Sequence, residues 1–184
     1  MGINWIAGQM RWQPHLGRDG AQYSLAHLYP FNLTVHFEAL RGRPARTVQV
    51  SIGFSLHVFT CDICDAGPNP ELYSDNRETR AFSRERYARS HRLRSIVEEL
   101  ENRRCYFTGQ LNYFTFDLEG LPPGQEYRVY FDVQRRARNE VQLFVQSAYV
   151  VQRDELPDGR RHKSVRFRVI VSEALLGKKP KEPL

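Results

Sequence analysis

The sequence predicts an α+β fold, in which about six strands form a mainly antiparallel β-sheet and one principal amphipathic helix packs on one face. Three observations predict it. Apolar and polar residues alternate in six separate runs, the period of half-buried strands. A single stretch, 84–102, spaces its apolar residues as a helix does. Short turns instead of helices join successive strands, which argues against a parallel βαβ sheet.

Taken in order, residues 1–30 are rich in turn formers, among them Gly17, Gly20 and Pro30, and carry no sustained period, so they predict an irregular lead-in. From Asn32, the residues Leu33, Val35, Phe37 and Ala39 alternate with Thr34, His36 and Glu38. After a turn at 41–44 the alternation resumes at Val48, Val50, Ile52, Phe54, Leu56 and Val58, which makes a hairpin. Gly67, Pro68 and Pro70 bar a helix or a central strand from 61–75, which reads as a loop. Leu93, Ile96, Val97 and Leu100 fall on one helical stripe, with Ser83 as the N-cap of a helix over 84–102. Four further runs, near 113–118, 127–134, 141–151 and 165–171, alternate as strands. Residues 177–184 read as a flexible basic tail, and the chain of 184 residues as one domain, 1–184.

Composition narrows the function. With 41% hydrophobic and 26% charged residues the chain is neither disordered nor membrane-like, and it has no apolar run of the ~20 residues needed to span a bilayer. The first residues lack the charged and then apolar sections of a signal peptide, so a cytoplasmic location and no membrane partner are expected. Three cysteines, an odd number, suit reduced thiols better than a disulfide framework. The net charge is +6, and arginine supplies almost all of the positive side. Guanidinium forks suit phosphates and stack on bases, which points toward nucleic acid, although genomic base composition also favours arginine over lysine.

Two constellations carry candidate chemistry. His57, Cys61 and Cys64 stand as H-x-x-x-C-x-x-C at the end of a long strand, with Cys105 available as a fourth zinc ligand. No second Cys-x-x-Cys accompanies them, so partly buried free thiols are the competing reading and no cofactor is expected by default. The other constellation is arginine. Arg77, Arg80, Arg84, Arg86 and Arg89 run into the front of the helix, where the dipole disfavours cations, a local conflict of the kind found where a site is built. Arg135, Arg136 and Arg138 sit at a hairpin tip. Arg128, Arg166 and Arg168 fall on the polar faces of their strands, as do Tyr113 and Tyr130; if those faces coincide, they form an arginine and aromatic platform.

The expected function is therefore a basic protein that binds nucleic acid, RNA or single strands, through these arginines and aromatics. The alternatives are a metal-independent ribonuclease drawing on the 77–89 region with His57, His91, Glu78, Glu85 or Tyr87, and a protein-interaction domain that forms a homo-oligomer. The P-loop, the Gly-x-Ser-x-Gly elbow, the dinucleotide fingerprint and His-Glu-x-x-His are all missing from the chain. The order of helix and basic meander resembles small toxin ribonucleases in architecture, which carries no function by itself.

Overall fold

A computed structural model describes residues 11–39, 44–108, 112–153 and 163–178. The chain is mostly strand. A seven-stranded sheet dominates, built from β3 (Phe31–Phe37), β4 (Arg46–Phe54), β8 (Arg104–Phe107), β9 (Tyr113–Asp117), β10 (Gln125–Ala137), β11 (Glu140–Gln152) and β12 (Ser164–Arg166) in the order β12-β8-β9-β10-β11-β4-β3. Beside it lie the hairpin β1 (His15–Leu16) with β2 (Gln22–Tyr23), and a small sheet of β5 (Thr60–Cys61), β6 (Leu72–Ser74) and β7 (Thr79–Phe82).

The fold class holds as α+β, but the sheet is mixed. The hairpin β3–β4 and the meander β8–β11 are antiparallel as expected, whereas β11 joins them by pairing with β4 in parallel, Val141 opposite Val50 and Leu143 opposite Ile52. Alternation reports that a strand has a buried face and says nothing about its neighbour. The sheet also curls. His36 and Phe37 at the end of β3, Glu38 just after it, Arg166 of β12 at the other edge and Arg168 of the helix that follows line one groove of about 490 Å³ together with residues 101–104.

The expected helix over 84–102 is two short ones, α1 (Arg84–Ser90) and α2 (Leu93–Glu98). Ser83 does cap α1, its Oγ accepting from the Arg86 amide at 3.3 Å. The break follows from Ser90, whose hydroxyl donates to the Tyr87 carbonyl at 2.7 Å and so competes for a helix acceptor. The predicted stripe of Leu93, Ile96, Val97 and Leu100 is nonetheless buried.

The strand expected over 165–171 stops at Arg166. Phe167 opens α3 (Phe167–Leu175), which buries Phe167, Ile170, Val171, Ala174 and Leu175, a helical spacing. Gly177, at φ +68°, ends it by sending its amide back to Ala174 and that of Lys178 to Glu173. The rest of the expected tail, like residues 1–10 of the lead-in, lies outside the described residues. Residues 11–30 are more ordered than expected, with Trp12, Leu25 and Leu28 buried beside the β1–β2 hairpin. Within 61–75, β6 forms an edge strand of the small sheet.

One apolar core results. The inner face of the large sheet supplies Val48, Val50, Ile52, Val129, Phe131, Leu143 and Val145, and α2 and α3 supply the residues that cover it. The outer face is the one that matters for the site.

Candidate nucleic-acid interface

Two rows of side chains cross the outer face of the sheet from its β12 edge. In the first, Ser164, Tyr106, Phe114, Tyr130 and Ser147 lie opposite one another on β12, β8, β9, β10 and β11. In the second, Arg166 faces Arg104, and Phe116, Arg128 and Tyr149 face one another on the next three strands. Strand alternation puts Arg104 on the face of Tyr106, and its carbonyl accepts from Thr115 Oγ1 at 3.0 Å, which locks β8 to β9 at that step.

The aromatic rings form a continuous group. Tyr106 stacks on Phe114 and Phe116 at centroid distances of 5.1 and 5.7 Å, Phe114 meets Tyr130 at 5.7 Å, and Tyr130 stacks on Tyr149 at 5.3 Å. Guanidinium groups cover parts of it: Arg128 sits 5.2 Å from the Phe114 centroid, and Arg86 of α1 sits 4.9 Å from that of Tyr149. Arg104 and Arg166 are exposed, whereas Tyr106, Phe116, Arg128, Tyr130 and Tyr149 are half-buried. Arg128 is tied to Glu126; burial opposes its charge, but hydrogen bonds with Glu126 and Tyr130 hold it above the ordinary arginine range. Burial, helped by the hydrogen bond with Tyr149, pushes the Tyr130 phenol up to about 12.

The expected platform is thus present in part. Arg128, Arg166 and Tyr130 share a face. Tyr113 does not: Phe114 and Phe116 take the outer face of β9, so strand alternation turns Tyr113 into the core, where it is 2% exposed. Arg168 leaves the sheet altogether, being on α3, where it lines the edge groove and reaches the Glu38 carbonyl at 3.5 Å. Arg104, Tyr106, Phe116 and Tyr149 were not singled out by the sequence, although Arg104 and Tyr106 alternate with Cys105 and Phe107 in a four-residue run.

The arginines at 77–89 separate into different roles. Arg77 pairs with Asp75 at 2.5 Å; Arg80, 9% exposed, pairs with Asp62 at 2.7 Å and bonds Thr60; Arg84 bridges Asp19 and Glu71 at 2.8 and 3.0 Å. Arg77 braces the β6–β7 turn and Arg80 ties β7 to the end of β5, while Arg84 joins α1 to the first hairpin and to the start of the small sheet. Arg86 donates to the carbonyls of His57 and Thr60, and burial lowers its pKa. The Arg89 side chain has no hydrogen bond or ion pair among the described residues, and its Nε is buried. At the tip of the β10–β11 hairpin, Arg135, Arg136 and Arg138 are exposed, Arg135 reaching the Ala137 carbonyl and Arg136 the side chain of Gln142.

The expected zinc ligands are not gathered. His57 lies in a 3-10 turn, Leu56–Val58, where strand parity no longer holds, and its Nε2 meets Glu78 at 2.8 Å. Cys64 is exposed beside Asp65, while Cys105 is in the core, where burial pushes its thiol up to about 12. Among the described residues no three His, Cys, Asp or Glu side chains converge as a metal set. The candidate acids and bases fall into separate contacts: His57 with Glu78 at 2.8 Å, and Tyr87 edge-on to His91 at 5.0 Å with His91 stacked on His27 at 3.7 Å, while Glu85 lines a pocket with Arg86 and Arg89. None of the described helices is long and apolar enough to cross a membrane.

No curated protein and no solved structure matches the chain. Residues 14–175 match the YjaZ family, a span that runs from just before β1 to the last residue of α3. The match takes in every strand and helix described above, and the chain belongs to the YjaZ family.

Proposed function

We propose that the outer face of the seven-stranded sheet binds single-stranded nucleic acid, RNA foremost. The observation that carries this reading is the pair of co-facial rows in which Arg166, Arg104 and Arg128 alternate with Tyr106, Phe116, Tyr130 and Tyr149. Bases unstacked from a duplex offer flat faces to aromatic side chains, while guanidinium groups take the phosphates between them. Arg135, Arg136 and Arg138 extend the basic surface at the hairpin tip, and the net charge of +6 favours approach of a polyanion.

Fluorescence anisotropy of a labelled single-stranded RNA, titrated at several salt concentrations, tests this. The expected result is affinity that falls steeply with salt, and that falls about tenfold or more when Tyr106 and Phe116 are both replaced by alanine, since each stacked base contributes ~1–3 kcal/mol. Absent or salt-insensitive binding overturns the reading. Recovery of the RNA intact after incubation in EDTA is expected; cut RNA would replace the binding module with the ribonuclease alternative.

A further inference from the structure

A second site lies away from the two rows, where β4 parts from β11. The parallel pairing ends at Phe54 opposite Val145, the Ser55 amide closes on the Val145 carbonyl at 2.9 Å, and the chain turns into the 3-10 turn. Beyond that point α1 and this turn lie alongside the second half of β11. Between α1 and the strand is a pocket of about 260 Å³, lined by Arg86, Arg89, Tyr127 and Tyr149, with Ser83, Cys61, Glu85 and Asp65 at its walls.

Its floor contains two polar groups without partners among the described residues. Tyr127 is 2% exposed, and neither its hydroxyl nor the Nε of Arg89 has a hydrogen-bond partner there, although both atoms are buried. Buried donors are nearly always paired, so two of them in one pocket mark a missing acceptor. Arg86 stands one helical turn before Arg89 on the same side of α1. Its guanidinium is already fixed, by the carbonyls of His57 and Thr60 on one side and the Tyr149 ring on the other. Glu85 and Asp65 face the pocket, and among the described residues neither forms an ion pair with these arginines.

We propose that this pocket binds a phosphate monoester, held by Arg86, Arg89 and the Tyr127 hydroxyl. Donors from two guanidinium groups and a phenol, arriving from the helix and from the strand, suit several oxygens of one tetrahedral anion better than they suit a planar carboxylate. The volume exceeds what one water fills and leaves room for an organic group beside Tyr149. The monoester can belong to a free nucleotide or to the end of a nucleic-acid strand. The site shares Tyr149 and the Arg86 that covers it with the sheet face, while Arg89 and Tyr127 belong to the pocket alone.

The experiment is calorimetric titration of the full chain with inorganic phosphate and with a nucleoside 5′-monophosphate, alongside anisotropy of one oligonucleotide with and without a 5′-phosphate. Wild-type protein is expected to bind the monophosphate. Arg89→Met should weaken it by about tenfold to a hundredfold, and Tyr127→Phe by about tenfold, the effect of losing a hydrogen bond to a charged group. Preference for the 5′-phosphorylated oligonucleotide over the free nucleotide assigns the site to strand ends, and the reverse assigns it to nucleotides. Replacing Tyr106 and Phe116 by alanine should leave monophosphate binding unchanged, so the two sites fail separately. No binding of any phosphate compound, or equal binding by wild type and Tyr127→Phe with both folded by thermal melt, overturns the proposal.

Discussion

His27 contributes to the acid sensitivity of this fold. Its ring stacks on His91 at 3.7 Å and meets Tyr87 edge-on at 5.7 Å, and the Ser90 hydroxyl, whose proton goes to Tyr87, accepts from its Nε2 at 2.7 Å. Burial, and then the charge of His91, lower its pKa from 6.5 to about 4. The folded state therefore holds the neutral ring while the unfolded chain takes up a proton from about pH 6.5 downward, so stability is complete above 6.5 and is lost as pH falls toward 4. A tenfold difference in proton affinity between the two states is worth ~1.4 kcal/mol unscreened, and for a half-exposed ring a total loss of roughly 1–2 kcal/mol is expected. Thermal melts between pH 7 and 4 check it: His27→Gln should flatten that part of the profile, and an unchanged slope would contradict the assignment.

Among the elements, α3 offers the clearest contrast between pattern and packing. Val165, Phe167, Val169 and Val171 alternate as a strand would, yet Ile170, which that pattern turns outward, is 2% exposed and Val169 is half-buried. Ile170→Ala is expected to cost ~2–4 kcal/mol and Val169→Ala less than ~1 kcal/mol in urea unfolding, since only the first opens a core cavity. The reverse order would restore the strand. Over seven residues periods of 2 and 3.6 are hard to separate, which is why the helix was not legible, whereas the long runs of β10 and β11 were. The same limit governed the site. Arg128 and Tyr130 could be read because β10 alternates from Tyr127 to Gln134, while Arg104 and Tyr106 sit in a four-residue strand after a helix. Nor could composition separate Arg89 from Arg80 and Arg84, whose hydrogen-bonded carboxylate partners lie 13 to 65 residues away.

At the scale of the whole molecule, two hairpin systems become one sheet through the single parallel pairing of β11 with β4, which no local pattern announces. The aromatic rows rest on the antiparallel strands β12 to β11, and where the parallel pairing ends, past Val145, the pocket beside α1 opens. Nucleic acid crossing the face should also touch the basic hairpin tip. Replacing Arg135 and Arg136 by glutamine is expected to weaken binding evenly across sequences and to reduce the slope of log K against log salt by ~0.7 for each phosphate no longer neutralised. An unchanged slope would remove the tip from the interface. The role of the sheet face itself is tested most directly by photochemical cross-linking of a bound single-stranded RNA, followed by mass spectrometry. Cross-links concentrated at Tyr106, Phe116, Tyr130 and Tyr149, and abolished in high salt, are the predicted result; cross-links confined to other segments would contradict it.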